Sequence, residues 1–191
     1  LGLKVRFVPT SWPTLSADLQ ADKFDIAMGG VTETAARAKD FALSQPVVPN
    51  GKIALANCAS APALGSLEKI DQPNVKVVVN PGGTNQSFVD EHIKHAQIIR
   101  VKNNIDNLEA LRQKTADMMV TDLIEGVYYQ SNEPGVFCVA NETPFPGTAS
   151  FKVYMMNKDN PQLLEKVNQW LASQDKNVLK QKWRIHDQVK P

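Results

Sequence analysis

Short apolar runs alternate with amphipathic stretches along almost the whole chain, and this alternation limits the fold more than any other feature. "VKVVV", "IIRV" and "DMMVTD" read as strands, separated by stretches with apolar residues at helical spacing. Such a pattern belongs to an α/β protein with largely parallel sheets. The opening "LGLKVRFVP" also reads as a strand, with Leu3, Val5 and Phe7 alternating against Lys4 and Arg6, so the chain is expected to begin inside a fold. Pro13 stands where a helix starts, Leu15 and Leu19 share a face of it, and "KFDIAMGG" predicts a second strand ending in two glycines. After "VVVNPGG" the spacing predicts a helix with a stripe of Phe88, Val89, His92, Ile93 and Ala96, and later one through Ile105, Leu108 and Leu111. Near the end, Leu163, Leu164, Val167, Trp170 and Leu171 mark one helix, and Val178, Leu179 and Trp183 a shorter one.

With 191 residues and 42% hydrophobic content, the chain can bury one core or two small ones. Two extended, Pro-rich stretches, "QPVVPNGKIALANC" and "CVANETPFPGTASFKVYMM", read as crossings between lobes. The expected division is residues 1–50 with 144–191 as one discontinuous lobe and 54–139 as the other, with crossings near 50–54 and 139–144. Lys+Arg at 21 against Asp+Glu at 20 leaves a formal charge of +1, so no strong field favours nucleic acid or an anionic membrane. The apolar runs are too short to span a bilayer. A small-molecule ligand is expected, and a homo-oligomer is compatible with the composition. The first residues lack the basic segment and apolar run of a signal peptide, so any export signal would lie outside this sequence.

The two cysteines, Cys58 and Cys138, lie far apart without CxxC spacing, which argues against a zinc site. Two readings stay open: buried thiols in a reducing compartment, or one long-range disulfide in an exported protein. One cysteine falls just past the first crossing and the other just before the second. If those stretches run side by side the two would face each other, which favours the exported, oxidised reading.

In open parallel sheets, ligands sit beyond the carboxyl ends of strands. Four segments qualify. In "MGGVTETAAR", Gly30, Thr32 and Arg37 could together hold a carboxylate, although a surface arginine after a helix cap has the same spacing. In "NPGGTN", Thr84 and Asn85 stand at a helix start suited to an anion, although plain turn chemistry explains the glycines too. Lys52 follows the first crossing. In "MMVTDLIEG", Asp122 and Glu125 share one face of a turn, where Asp122 serves equally as a helix cap. If Glu125 points at a ligand, its neighbour Asp122, partial burial and an anionic ligand would favour its neutral form. "HIKH" puts His92 and His95 on a helix surface without a third metal ligand, and no GxGxxG, Walker or GxSxG pattern occurs.

The order of these segments, from "SWPTLSADLQADKFDIAMGGVT" through Arg37 and "FALSQP" to the "TD" strand end, resembles the periplasmic amino-acid-binding proteins. These have the two-lobed type II periplasmic-binding-protein fold with two crossings. Within that group, "SWPTL", "NGK", "LEKIDQPNVKVVVNPGGTN" and above all "TDLIE" resemble the cyclohexadienyl dehydratases, which convert prephenate to phenylpyruvate and arogenate to phenylalanine. The resemblance implies that an N-terminal strand and helix precede Leu1, and it implies a Cys58–Cys138 disulfide and a periplasmic location. It assigns Arg37, Thr32 and the Gly30 turn to a carboxylate, Thr84 and Asn85 to ligand groups from the other lobe, and Trp12 to the cleft lining. Glu125 becomes the general acid, with Asn80 and Lys52 orienting it. Ala36 stands where binding relatives often carry glutamate, and Gly30 where dehydratases carry serine.

Loss of hydroxide with CO₂ from prephenate yields an aromatic ring, so such an enzyme must supply positioning and one proton, with neither metal nor cofactor. The rival is a binding protein that delivers an amino acid to a membrane transporter; there Arg37 would take the α-carboxylate and Asp122 the ammonium. A sensory ligand domain of a receptor shares the same fold. Glu125, Asn80 and Lys52 separate the dehydratase from the binding protein.

Overall fold

The computed structural model describes residues 1–182; Trp183, expected in the last helix, lies outside the described residues. In chain order the elements are α1 (Leu15–Gln20), β1 (Ala27–Thr32), α2 (Ala35–Asp40), β2 (Ala42–Leu43), β3 (Val48–Asn50), β4 (Lys52–Asn57), α3 (Leu67–Ile70), β5 (Lys76–Val79) and α4 (Gly83–His92). There follow β6 (Gln97–Arg100), α5 (Asn104–Arg112), β7 (Met118–Asp122), α6 (Leu123–Asn132), β8 (Phe137–Val139), β9 (Ser150–Met156), α7 (Pro161–Ser173) and α8 (Lys176–Lys182). Contacts divide the chain into two units. Unit 1 is Leu1–Pro49 with Ser150–Leu179, and unit 2 is built on Asn50–Ala149.

In unit 1, β9 is the central strand. β1 and β2 pair antiparallel with it, and β3 also joins it. The core is Leu15, Leu19, Ala27, Val31, Phe41 and Met155, so the predicted face of α1 is buried. α7 buries Val167 and Leu171 of its predicted stripe. β1 runs through Gly29 and Gly30 instead of ending at them. The opening segment departs from the expectation: residues 1–11 form no strand, and Leu3, Val5 and Phe7 are exposed. Alternation alone does not make a strand. The backbone needs a ladder partner, and among the described residues no strand lies beside this segment.

In unit 2 the strand order is β6-β5-β7-β4-β8. One side of it is parallel, from the edge strand β6 through β5 to β7; β4 runs antiparallel to both β7 and β8. This sheet is therefore mixed, and in unit 1 β1 and β2 are antiparallel to β9, so the sheets are not largely parallel. Of the stretches read as crossings, the first holds β3 and β4 and the second the end of β8 and all of β9; β4 brings the chain into this sheet and β8 takes it out, antiparallel to one another. Side chains alternate across the sheet. Ala54, Ala56, Val77, Val79, Met118 and Val120 pack with Phe88 and Val89 of α4, while Ile53, Leu55, Val78 and Met119 pack with Leu108 and Leu111 of α5 and Leu123 of α6. Burial on both faces explains the unbroken apolar runs "VVV" and "MMV".

Helix ends follow local chemistry. α4 starts after Gly82, and Gly82 and Gly83 both have φ of +81°, a conformation that side chains with a Cβ rarely adopt. The helix stops at His92, so Ile93 and Ala96 of the predicted stripe lie beyond it. The Ile105 side of α5 is exposed, and Asn107 with Leu108 and Leu111 forms the buried side. Cys58 and Cys138 are joined by a disulfide, with Cα atoms 4.9 Å apart and a sequence separation of 80. A closed loop of that size stabilises the folded chain by about 4 kcal/mol. Among the described residues no helix is long and apolar enough to cross a membrane.

Candidate functional site

The polar groups of unit 2 gather where β4 begins and β7 ends. Lys52 and Asp122 are register partners across these antiparallel strands, which puts both side chains on one face of the sheet. Gly51 brings the chain in close: a Cβ there would meet Pro144 Cβ at 2.6 Å. The Lys52 ammonium donates to Asp122 Oδ1 at 2.8 Å, to Thr84 Oγ1 at 2.6 Å and to Asn85 Oδ1 at 2.6 Å. Each of its three hydrogens thus has an acceptor. The side chains of Lys52 and Asp122 are only 8% and 10% exposed, so this is a buried ion pair tied to the first turn of α4. Asp122 occupies the N-cap position of α6 but makes no side-chain cap. Its carboxylate serves Lys52 instead.

Glu125 belongs to the other face. Thr121, one residue before Asp122, points the opposite way and is fully buried. Its hydroxyl lies 2.7 Å from Glu125 Oε2, and Asn104 Nδ2, at the start of α5, donates to Glu125 Oε1 at 2.9 Å. Tyr129, one turn further along α6, has its phenol pKa pushed up to about 12, first by burial and then by the charge of Glu125 and a hydrogen bond with it. α6 lies close enough on β4 that a Cβ at Gly126 would meet Ile53 Cδ1 at 2.7 Å, which fixes the helix that carries Glu125.

Asn80 and Lys52 are the orienting partners that the resemblance implies for Glu125; the groups on its oxygens are instead Asn104 and Thr121. The Asn80 Oδ1 accepts from Asn107 Nδ2 at 2.6 Å, within the buried polar start of α5. The Lys52 charge lies against Asp122, so repulsion of Glu125 by a bare Asp122 does not describe this arrangement. Tyr129 was legible in the sequence at four positions after Glu125, the spacing that places two residues on one helical face. Asn104 carries no such signal, because only the packing of α5 beside α6 brings it near.

Unit 1 presents a different set. The Arg37 guanidinium donates to the Thr32 carbonyl at 2.8 Å and lies 5.7 Å from the centroid of the Trp12 ring, within cation–π range. α2 starts at the Thr34 cap, whose hydroxyl accepts from the Arg37 N–H at 3.1 Å, and this sets the direction of the arginine. Thr32 itself is 5% exposed, and Gly30 has φ of +75°, where a serine would be strained. Lys152, which the sequence reading passed over, donates to Gly30 O at 2.7 Å and to Thr32 Oγ1 at 2.9 Å.

The histidines lie elsewhere. His92 is exposed at the end of α4, its ring centroid 4.4 Å from that of Phe88, and His95 lies past the helix with Nδ1 3.0 Å from Asp71 Oδ2. Asp71 also accepts from the backbone N–H groups of Lys94, His95 and Ala96, which with His95 hold it well below the usual carboxylate range despite the opposing effect of burial. Among the described residues no group of three or more His, Cys, Asp or Glu is placed to hold a metal.

The profile of the bacterial extracellular solute-binding proteins, family 3, matches residues 1–185, and the chain belongs to this family. Among individual proteins, it is 34% identical to the cyclohexadienyl dehydratase of Pseudomonas aeruginosa over 183 residues, 95% of this chain and 67% of that protein. The crystal structure of an ancestral amino-acid-binding protein, described as a precursor of cyclohexadienyl dehydratase, superposes with a TM-score of 0.83 at 32% identity, covering 95% of this chain and 78% of that one. A binding component of an ABC transporter from Wolinella succinogenes, complexed with lysine, gives a TM-score of 0.84 at 22% identity over 98% of this chain and 82% of its own, a likeness of fold alone.

Proposed function

We propose that this chain is a periplasmic cyclohexadienyl dehydratase that acts on prephenate, and on arogenate, with Glu125 as the general acid. The observation that carries this reading is the separation of the two acids. An amino-acid-binding protein of this pattern would use Asp122 for the ligand's ammonium, but here the Asp122 carboxylate is in a buried ion pair with Lys52. The second acid, Glu125, has its own partners on the opposite face, in a form that suits proton transfer. Asn104 Nδ2 can only donate, so Oε1 stays an acceptor; the Thr121 hydroxyl can donate to a carboxylate or accept from a carboxylic acid, so the contact survives either protonation state. The resemblance to a dehydratase over nearly the whole chain supports the same reading.

In the reaction, the Glu125 carboxyl gives its proton to the ring hydroxyl of prephenate. The C–O bond breaks and water leaves. The bond from the ring to its carboxyl group breaks as CO₂ departs, and that electron pair completes the aromatic ring of phenylpyruvate. Glu125 then regains a proton from solvent. In unit 1, Arg37, Thr32 and the Gly30 turn are the groups suited to a carboxylate; in unit 2, Thr84 and Asn85, fixed by Lys52, are the groups suited to ligand oxygens. Lys52 and Asn80 act on the substrate side by ordering α4 and α5.

The test is to add prephenate and follow phenylpyruvate, then to repeat it with Glu125→Gln. Turnover that collapses in the variant supports the assignment. Undiminished turnover removes Glu125 as the acid. Failure of the native chain to turn prephenate over, together with thermal stabilisation by a free amino acid, would replace the dehydratase by a transport protein.

A further inference from the structure

α5 carries two asparagines, Asn104 and Asn107, at a spacing that puts both on one side of the helix. Asn104 holds Glu125. Asn107 holds Asn80: its Nδ2 donates to Asn80 Oδ1 at 2.6 Å. Asn107 is only 2% exposed, on the buried side of α5 with Leu108 and Leu111, and among the described residues its own Oδ1 is buried without a hydrogen-bond partner. A buried amide with an orphaned acceptor costs the fold stability, and a leucine of similar size would pack there without that cost. Among the described residues the Asn107 side chain makes one hydrogen bond, to Asn80, so its use lies there.

That bond decides which way the Asn80 amide faces. Turning both amides over would keep one hydrogen bond between them but would leave the Asn107 NH₂ buried and unpaired in place of a single carbonyl oxygen, and a buried N–H goes unpaired less readily than a buried C=O. Asn107 therefore presents its donor, Asn80 turns its acceptor inward, and the Asn80 NH₂ points the other way. Asn80 also stands beside the acid. β5 and β7 are parallel neighbours with Val77 opposite Met118, so Asn80, just past β5, is level with Thr121. Val78 and Met119 pack toward α5 and α6, and Asn80 and Thr121, two positions further along, face the same way. Neighbouring strands lie about 4.8 Å apart, so the Asn80 amide is about one strand spacing from the hydroxyl that touches Glu125.

We infer that Asn107 is a positioning residue for the reaction: it holds the Asn80 amide with its NH₂ toward the substrate, where Asn80 donates to the oxygen of the leaving hydroxyl while Glu125 protonates that oxygen. This rests on the reading of Glu125 as the general acid of a dehydratase. The hydroxyl oxygen has two lone pairs; one takes the Glu125 proton and the other accepts from Asn80 Nδ2. Electron density grows on this oxygen as the C–O bond breaks, so the hydrogen bond from Asn80 strengthens in the transition state and acts on kcat more than on binding. Without Asn107 the Asn80 amide is released to turn, and part of the time its carbonyl oxygen faces the oxygen it should assist.

The experiment compares the native chain with Asn107→Leu, Asn80→Leu and the double variant, measuring kcat and KM for prephenate and the melting temperature of each. Asn107→Leu should lower kcat about 10-fold, the scale of one hydrogen bond, with KM nearly unchanged and a melting temperature that is unchanged or higher. Asn80→Leu should lower kcat about 10²-fold or more, as the loss of a donor to a developing negative charge does. Adding Asn107→Leu to Asn80→Leu should lower it no further, because Asn107 acts through Asn80. An unchanged kcat in Asn107→Leu overturns the inference. So does a loss that persists at full size on the Asn80→Leu background, which would make Asn107 a structural residue only. Should Asn107→Leu not fold, Asn107→Ala, which suits a helix and also removes the amide, decides by the same two criteria. Conversion of prephenate by the native chain with undiminished kcat in the variant overturns the inference alone, whereas a native chain that does not convert prephenate overturns the dehydratase and the inference together.

Discussion

Both units place a buried lysine against a threonine, but the surroundings give the two lysines different work. In unit 2, Lys52 is held by Asp122, so the pair is close to neutral and acts as a strut from the sheet to the first turn of α4. In unit 1, Lys152 donates to the Thr32 hydroxyl and Arg37 to the Thr32 carbonyl. The same residue type at the same distance past a chain crossing thus ties a helix to the sheet in one unit and one strand to its neighbour in the other. What separates them is the register partner: Asp122 faces Lys52 and Thr32 faces Lys152.

The comparison can be broken or sharpened by four measurements. The largest effect is expected from Glu125→Gln, which should lower kcat for prephenate by about 10²–10⁴-fold, the usual contribution of a positioned general acid, while leaving the melting temperature nearly unchanged. If Lys52 is a strut, Lys52→Met takes the cation away from the buried Asp122 carboxylate and should cost about 3–5 kcal/mol in urea unfolding, and the double substitution Lys52→Met with Asp122→Leu should restore most of it. A full loss that persists in the double variant would show that Lys52 does more than neutralise Asp122. Replacing both cysteines, Cys58→Ser with Cys138→Ser, should cost about 2–4 kcal/mol and make stability indifferent to added reductant; retained sensitivity would point away from this disulfide.

The smallest effect concerns pH. The Tyr129 phenol is pushed up to about 12 from an ordinary value of 10.0. The folded chain therefore keeps a proton that the unfolded chain has already released, and the unfolded state binds fewer protons across that window. Stability from this source is complete below about pH 10 and falls as pH rises toward about 12. Unfolding curves over that range should lose this slope in Tyr129→Phe. In the native chain, ultraviolet titration should show Tyr129 ionising late; early ionisation would mean that its contact with Glu125 does not form.

Much of the core was legible because its signal is periodic. Leu15 with Leu19 in α1, Val167 with Leu171 in α7 and the runs in β5 and β7 are all buried. The opening strand was misread for the converse reason, since Leu3, Val5 and Phe7 have the right period and no partner. Around the site, Arg37, Thr84, Asn85, Lys52, Asp122 and Glu125 stood out as polar residues at strand ends and helix starts. Their grouping did not. Lys52 goes to Asp122, and Glu125 goes to Asn104 and Thr121, because adjacent residues on β7 point to opposite faces of the sheet.

The sequence alone determined most of the strands and helices beyond the opening segment, where glycines must open a helix, and which side chains carry charge, since these depend on local backbone preference and apolar period. Only the tertiary structure decided which polar groups meet. Lys52 and Asp122 are 70 residues apart, and Lys152 and Thr32 are 120 apart. Which side chain a buried lysine meets across the ladder follows from strand register, and register is fixed by packing across the whole sheet.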